Sequence, residues 1–301
     1  MSLVLRLLAI SPLWLLHGLG WAMGWLTYAA SPPYRQRLRA HAAGAGVSPA
    51  HTRQAVGQAG KMVAELPRLW LRPADEPLGA LADWPDRDPV EQALAAGRGL
   101  VLLTPHLGAF EICAQAYAEH FGHRSPITVL YRPARQAWLR RWVERSRQRP
   151  GLLTAPASLQ GVRQLIRALR QGSTVGLLPD QVPPQGQGVW APFFGRPAYT
   201  MTLAARLVQQ TGATLVLLWC ERLPRGRGYR VHTRAVDAAV MAELAQADPA
   251  QSAALINRLM EQLILEGPQQ YLWGYNRYKQ PRTVADAPAA PAATGDEGAR
   301  G

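Results

Sequence analysis

The sequence predicts an α/β fold in which a mostly parallel central sheet is flanked by helices, with a membrane helix at the amino terminus. Two patterns indicate it: short apolar runs alternate with amphipathic stretches along most of the chain, and one long uncharged segment precedes them. At 301 residues, the chain can bury one large core without disulfide support. We expect residues 1–30 to form a membrane anchor or interfacial helix, residues 31–280 one domain, and residues 281–301 a disordered tail.

The amino-terminal segment carries no charged side chain over residues 7–30, which as a single helix would measure about 36 Å. Ser11-Pro12 predicts a helix start inside it, and a helix over residues 12–28 would measure about 25 Å, a marginal length for crossing a bilayer. The basic flank that follows places the rest of the chain on the cytoplasmic side. A buried first helix is the alternative, and Gly20 and Gly24 could pair two copies or pack within one chain.

Strands and helices follow from the same patterns. The apolar runs GLVLLT, ITVLY, STVGLL and ATLVLLWC predict strands at 99–104, 127–131, 173–178 and 213–220. Amphipathic stretches, several of them opened by Ser-Pro or Asp-Pro and closed by Gly, predict helices. The predicted helices are 49–71, 89–96, 109–121, 136–148, 159–171, 199–211 and 249–266.

The chain is strongly basic, with 33 Lys and Arg against 20 Asp and Glu and a net charge of +13. All the cations except Lys61 and Lys279 are arginines, which favours a phosphate-rich surface or an acidic partner. A compositional bias toward Arg explains the excess equally well. The arginines are spread out and no nucleic-acid motif accompanies them, so nucleic acid is not an expected partner. Cys113 and Cys220 lie in apolar contexts typical of buried free thiols in a reducing compartment.

Three polar side chains follow predicted strands: His106, Arg132 and Asp180. The carboxyl ends of parallel strands meet at one sheet edge, where open α/β sheets bind their ligands. Each residue alone is also typical of a surface turn, but their coincidence after three strands favours a functional site. We therefore expect a base, a cation and a carboxylate to converge there.

The segment TPHLGAFE places His106 and Glu111 five residues apart, which on one continuous helix would put them on different faces. They can meet if His106 lies in the strand-to-helix turn and Glu111 in the first turns of the helix, where its carboxylate accepts the imidazole N–H. Gly108 permits the turn, and the helix amino terminus adds positive potential. This predicts His106 as a general base and Glu111 as its orienting partner.

With these residues in place, the chain resembles the late acyltransferases of lipid A biosynthesis, the lauroyl and myristoyl transferases, within the wider group of glycerolipid acyltransferases that share an H-x4-D/E motif. HLGAFE carries that motif. The resemblance continues through LYRPAR at 130–135, the segment 177–207 with its Asp-Gln loop and Phe-Phe-Gly, and PQQYLWGYNRYK at 268–279. The last block has Tyr275-Asn276-Arg277 where the lipid A enzymes commonly have His-Arg-Arg, which leaves the acceptor open.

The resemblance implies a glycerol-3-phosphate acyltransferase-like fold, with residues 31–280 as the acyltransferase domain on the cytoplasmic face of a bacterial inner membrane. It implies transfer of a fatty acyl group from a thioester of acyl carrier protein or coenzyme A to a lipid hydroxyl, without a metal or cofactor. Arg132 is then expected to bind phosphate or stabilise an oxyanion, and Asp180 to organise the loop that follows it. The other substrate-binding candidates are Gln181, Phe194, Gly195, Thr200 and Arg277, with Gly195 allowing close approach and Thr200 capping a helix.

Alternatives remain for the acceptor and for the class of protein. The acceptor could be a phosphatidylinositol mannoside or an ornithine-type lipid, and a non-catalytic lipid-binding protein could share the fold. A covalent acyl-enzyme is disfavoured because neither cysteine has a histidine close by in sequence. A zinc hydrolase is disfavoured because the histidines lack H-E-x-x-H spacing. Phe193 and Phe194 are equally typical of a turn packed on the core.

Overall fold

The fold is taken from a computed structural model that describes residues 3–131 and 149–282. The predicted helix at 136–148 and nearly all of the predicted tail lie outside these residues. Four helices come first: α1 (Leu3–Ile10), α2 (Leu13–Ala30), α3 (Pro32–Gly44) and α4 (Pro49–Leu71). The later described helices are α5 (Asp88–Ala95), α6 (Phe110–Phe121), α7 (Leu159–Arg170), α8 (Leu203–Thr211), α9 (Ala238–Gln246) and α10 (Pro249–Glu266).

The central sheet has seven strands among the described residues, in the order β1-β9-β8-β2-β5-β3-β4. Neighbouring strands are parallel except for the β8–β9 pair, which confirms the predicted α/β class. The strands are β1 (Ala82–Asp83), β2 (Leu100–Leu103), β3 (Ile127–Tyr131), β4 (Leu152–Pro156), β5 (Thr174–Leu177), β8 (Thr214–Arg222) and β9 (Tyr229–Ala235). A separate antiparallel hairpin joins β6 (Gly188–Phe193) to β7 (Arg196–Met201).

The four predicted strands are confirmed as β2, β3, β5 and β8, and helices are present at every predicted position within the described residues. The start of the predicted helix at 199–211 is wrong, because residues 199–201 end β7 and pair with β6 before α8 begins at Leu203. Pairing across the hairpin fixes these residues as extended chain, a tertiary influence that the local pattern does not contain.

The core lies on both faces of the sheet, as expected for parallel strands covered by helices. Leu100 and Leu102 of β2 belong to the cluster shared with α6, whereas Val101 and Leu103 belong to the cluster shared with α8 and α10. All four side chains are buried, so β2 is apolar throughout its length. This central strand leads directly into the turn that contains His106.

Helix α2 packs along α4 through small residues on both helices. A Cβ atom placed on Gly24 would lie 2.3 Å from the carbonyl oxygen of Val56, and one on Gly20 would lie 2.7 Å from that of Gly60. Contacts this short require glycine. The paired glycines therefore serve packing within the chain, which confirms that alternative over a helix pair formed between two copies.

The other face of α1 and α2 is apolar and exposed. The exposed fraction of the residue reaches 75% at Ile10, 63% at Trp14 and 70% at Leu26. Within residues 3–131 and 149–282, however, no helix combines the length with the apolar character needed to cross a bilayer, so the predicted spanning helix is not confirmed.

Candidate active site

His106 and Asp180 meet because β2 and β5 are neighbours in register. Leu103 pairs with Leu177, and each of the two polar residues follows its strand by the same number of positions. The imidazole Nδ1 of His106 lies 2.7 Å from one carboxylate oxygen of Asp180, and the backbone N–H of His106 donates to the other oxygen over 2.9 Å. The predicted convergence of a base and a carboxylate at this sheet edge is thus present in the structure.

The contact with Asp180 determines which nitrogen of His106 carries the proton. An ionised carboxylate only accepts hydrogen bonds, so Nδ1 must be the donor, and in the neutral imidazole Nε2 then holds the free electron pair. Nε2 makes no hydrogen bond within the part of the chain that the structure describes, and the side chain keeps 17% of its surface exposed. Phe110 packs against the ring with centroids 4.7 Å apart. This arrangement is the one that a histidine general base requires, and the role itself stays a prediction.

Asp180 is itself held in a buried polar environment, with 2% of its side chain exposed. Burial alone would raise the pKa of Asp180, but the charge of His106, its two hydrogen bonds and the more distant Arg277 lower it below its usual value. The Asp180 carboxylate therefore stays ionised near neutral pH. Burial and the negative charge of Asp180 together raise the pKa of the nearby Tyr271 hydroxyl well above its usual value. Sequence reasoning did not identify Tyr271, although it lies within the block at 268–279.

Glu111 lies where the sequence predicts, in the first turn of α6, but it does not hold Nδ1 of His106. Asp180 takes that position, so the expectation that Glu111 accepts the imidazole N–H is corrected. The physical reason is the strand register, which brings Asp180 against both the ring and the backbone of His106. One carboxylate oxygen of Glu111 accepts a hydrogen bond from the indole of Trp70 over 3.3 Å. A catalytic role for Glu111 stays a prediction.

An apolar cleft of about 330 Å³ opens beside His106. It runs between α6 and the sheet face formed by β3, β4 and β5. Glu111 and Gln115 are the polar side chains that join His106 in its described lining. The apolar part of the lining is Phe110, Ala114, Val129, Leu130, Leu152, Gly176, Leu177, Leu178 and Met201. A cleft of this composition fits a hydrocarbon chain whose reactive end meets the imidazole.

The remaining predicted site residues that the structure describes are not among the residues that line this cleft. Phe194 and Gly195 form the two-residue turn between β6 and β7 with φ of 46° and 71°, the conformation such hairpins require. No atom of the described residues lies within 4 Å of a Cβ built on Gly195, so the turn itself accounts for the glycine, and its close approach to a substrate stays a prediction. The Phe194 ring instead contacts Trp273, with centroids 5.6 Å apart. These two residues shape the hairpin.

Thr200 and Arg277 come together inside the protein rather than in the cleft. Arg277 donates to the hydroxyl of Thr200 over 2.8 Å and to the carbonyl of Tyr199 over 2.7 Å, and both side chains are buried. Thr200 therefore lies within β7 and does not cap α8, whose preceding residue is Thr202. Gln181 is half-buried next to Asp180, and its role stays a prediction. Arg132 lies outside the described residues.

The two cysteines are free and buried, as expected. Burial raises the pKa of the Cys113 thiol to about 12, which removes it as a nucleophile near neutral pH. Within the described site, His106 and its carboxylate partner are therefore better suited to chemistry near neutral pH than Cys113 is.

A family model described as bacterial lipid A biosynthesis acyltransferase matches residues 3–280. The chain belongs to this family. The match covers all the described elements, from α1 to the carboxyl-terminal block that contains Tyr271 and Arg277.

The individual relatives share a low sequence identity with the chain, between 26% and 28%. The chain is 28% identical over 211 residues to a lipid A biosynthesis lauroyltransferase of Escherichia coli K12, covering 65% of each protein. It is 26% identical over 224 residues to a lipid A biosynthesis palmitoleoyltransferase of the same organism, covering 73% of the chain and 68% of the relative. A phosphatidylinositol mannoside acyltransferase of Mycobacterium tuberculosis is 28% identical over 169 residues, covering 55% of the chain and 50% of the relative. The chain thus spans less than two thirds of the lauroyltransferase.

Proposed function

We propose that this protein transfers a fatty acyl group from an acyl thioester to a hydroxyl of a lipid acceptor, in a late step of lipid A biosynthesis. The observation that carries the proposal is the His106–Asp180 hydrogen bond of 2.7 Å, which in the neutral imidazole places the proton on Nδ1 and leaves Nε2 as a proton acceptor beside an apolar cleft. Membership of the lipid A biosynthesis acyltransferase family supports this chemistry.

In the proposed reaction, Nε2 of His106 accepts the proton of the acceptor hydroxyl while its oxygen attacks the thioester carbonyl carbon. The carbon–sulfur bond breaks, and the imidazolium returns the proton to the departing sulfur, so an ester and a thiol are formed. Asp180 stays ionised and stabilises the imidazolium, as a carboxylate does for a histidine base. General-base catalysis of this kind is worth about 10²–10⁴-fold in rate.

The cleft supports a fatty acyl donor. Its lining is mostly apolar and includes His106, so the carboxyl end of a bound chain can lie beside the base. Acyl carrier protein and coenzyme A both present such a chain as a thioester, and either is a suitable donor. Arg132 remains our candidate for phosphate binding or oxyanion stabilisation, and Glu111 remains a candidate catalytic residue because it lines the same cleft.

A second acceptor deserves a test because one relative is a phosphatidylinositol mannoside acyltransferase. Both acceptor classes are glycolipids with free hydroxyls, and the same base would act on either. Mass spectrometry of total lipids from cells with and without the gene would separate them, since the acyl group would be missing from lipid A in one case and from another glycolipid in the other.

We also propose that the exposed apolar face of α1 and α2 lies on the cytoplasmic surface of the inner membrane. Arg35 and Arg39 flank this face, with their guanidinium carbons 5.8 Å and 5.5 Å from the centre of the Tyr28 ring. Apolar side chains bordered by arginines are typical of helices that bind anionic lipid surfaces. This location would bring a lipid acceptor to the cleft without extraction into water.

The proposed chemistry is tested with His106→Ala in the full chain, purified in detergent. Acyl transfer is measured by mass spectrometry of the lipid product, with acyl carrier protein and coenzyme A thioesters offered separately to a lipid A precursor. We expect turnover to fall by at least about 10²-fold because the proton acceptor is lost. Binding of donor and acceptor should persist.

His51→Ala is the matched control, because His51 is exposed at the start of α4 and its side chain makes no hydrogen bond among the described residues, where its backbone N–H donates to Ser48. It should retain full turnover, and circular dichroism should show that both variants are folded. A folded His106→Ala protein with near wild-type turnover would show that another residue is the base.

A further inference from the structure

A fully buried ion pair lies next to the turn that contains His106. Arg222, at the end of β8, donates to the two carboxylate oxygens of Glu65 on α4 over 2.8 Å and 2.6 Å, and each side chain is 1% exposed. Burial alone would raise the pKa of Glu65, but Arg222 beside it and a hydrogen bond from His17 lower it. Glu65 and Arg222 therefore stay charged inside the protein. Neither residue is among those that line the cleft beside His106.

The same guanidinium also contacts the turn. Nη2 of Arg222 donates to the carbonyl oxygen of Gly108 over 3.2 Å. The N–H of Gly108 donates to the carbonyl of Gln270 over 3.1 Å, and the N–H of Ala109 donates to the carbonyl of Cys220 over 2.8 Å. Both hydrogen-bonding groups of the Gly108 backbone are thus held from the direction of β8 and the carboxyl-terminal block.

The position of Gly108 leaves the turn little freedom. Its φ is 59°, and a Cβ built there would lie 2.0 Å from the carbonyl oxygen of Cys220. Gln270 completes the arrangement, because its side-chain amide accepts from the backbone N–H of Arg222 over 2.9 Å and donates to the carbonyl of Arg222 over 3.1 Å. The backbone of Arg222 and that of Gly108 are therefore fixed relative to each other.

We infer that Arg222, held by Glu65, is a positioning residue that fixes the Gly108 turn and so aims the imidazole of His106 at the cleft. The inference rests on the proposed role of His106 as the base. A buried ion pair is often no more stabilising than apolar residues of the same volume, so its presence is better explained by the geometry that it imposes. A base displaced by about 1 Å can lose 10²-fold in rate.

The test is Arg222→Lys in the full chain in detergent. Lysine keeps a positive charge opposite Glu65 but cannot form the two-pronged contact or reach Gly108 at the same time. We expect kcat to fall about 10–100-fold while the KM values for donor and acceptor stay within about twofold. Hydrogen exchange of a peptide covering residues 104–110 should become faster, because the turn is held less firmly.

Tyr229→Phe is the matched control, because the Tyr229 hydroxyl donates to Glu65 over 3.0 Å and makes no bond to the turn. It should lower the melting temperature and leave kcat and the exchange of residues 104–110 unchanged. A purely structural role for the ion pair predicts that both variants behave alike. That result, or wild-type kcat and exchange in Arg222→Lys, overturns the inference.

A second variant covers the case in which Arg222→Lys fails to fold. Gln270→Ala leaves the Glu65 ion pair in place and removes the two side-chain bonds that fix the backbone of Arg222. It should also accelerate exchange in residues 104–110, and wild-type exchange in the folded variant overturns the inference. Hydrogen exchange needs no acceptor, so failure to find acyl transfer in the wild type would count against the proposed function alone.

Discussion

At the scale of single residues, the site pairs one histidine with a carboxylate from a neighbouring strand rather than from the adjacent helix. Asp180 contacts both the ring and the backbone of His106, so it fixes the position of the residue as well as its tautomer. Glu111 lies in the cleft wall and contacts Trp70. The two carboxylates therefore have different surroundings, and their removal should have different effects on the imidazole.

The first prediction tests which of the two carboxylates, Asp180 or Glu111, accepts the hydrogen bond from Nδ1 of His106. Asp180→Ala should remove the low-field proton resonance of Nδ1 of His106, because the acceptor that holds this proton is gone. Glu111→Gln should leave that resonance in place. The measurement is proton nuclear magnetic resonance of the full chain labelled with ¹⁵N at histidine, in detergent. Turnover of Asp180→Asn should fall by about 10²–10⁴-fold, since an amide can hold the ring but cannot stabilise the imidazolium.

His106→Ala identifies the resonance, which must be absent from that variant. Loss of the signal in Glu111→Gln together with its retention in Asp180→Ala would return the orienting role to Glu111.

At the scale of elements, α2 and α4 are joined by glycines at their crossing. The prediction is that Gly24→Ile lowers stability by about 1–3 kcal/mol or more, because the new side chain must displace the backbone of α4 at Val56. The measurement is the thermal unfolding midpoint followed by circular dichroism in detergent. The mass of the protein in detergent should stay that of the wild type.

Gly18→Ile is the matched control for this prediction. It makes the same change in the same helix, but no atom of the described part of the chain lies within 4 Å of a Cβ built on Gly18. Isoleucine forms helix better than glycine, so this variant should be at least as stable as the wild type. Equal midpoints for the two variants would contradict the packing role of Gly24.

The elements that sequence reasoning predicted are those whose signal is local. The strands β2, β3, β5 and β8 are uninterrupted apolar runs, and α10 follows an Asp-Pro start that forms a complete capping box with Gln251. The missed elements carry weaker signals. In β9, exposed arginines interrupt the apolar residues, so the strand lacks an uninterrupted apolar run. The β6–β7 hairpin includes Pro192 and Pro197, residues that are uncommon inside strands.

The sequence predicts the candidate site only as far as it predicts where the strands end. His106 and Asp180 could be placed at one edge because each follows an apolar strand, but their direct contact depends on the pairing of β2 with β5, which no local pattern specifies. Glu65 and Arg222 are separated by 157 positions, and only the folded chain brings them together. In the sequence, Glu65 is one polar residue in a helix of mixed polarity, and this pattern does not indicate that its side chain is buried.

At the scale of the whole molecule, one helix links the proposed membrane surface to the interior. Trp14 on α2 points outward, whereas His17, three residues later, is buried and contacts Glu65 over 3.0 Å. Glu65 in turn holds Arg222, which contacts the turn after His106. The face proposed to meet lipid and the base proposed to act on a lipid hydroxyl are therefore connected by a short series of buried polar contacts.

The last prediction concerns that face. In the double variant Trp14→Ser with Leu26→Ser, two exposed apolar side chains of α2 become polar without affecting its contact with α4. Burying each such side chain in a lipid interface contributes about 1.5–3 kcal/mol, so partitioning onto vesicles should weaken by about 10²-fold or more. The measurement is co-sedimentation with vesicles that contain anionic lipid, after removal of detergent.

The matched control for this prediction is the double variant Leu159→Ser with Trp190→Ser, because these residues are 81% and 44% exposed on α7 and β6. It makes the same chemical changes away from α1 and α2 and should bind vesicles as the wild type does. Equal binding by the two double variants would show that the amino-terminal face does not hold the protein at the membrane.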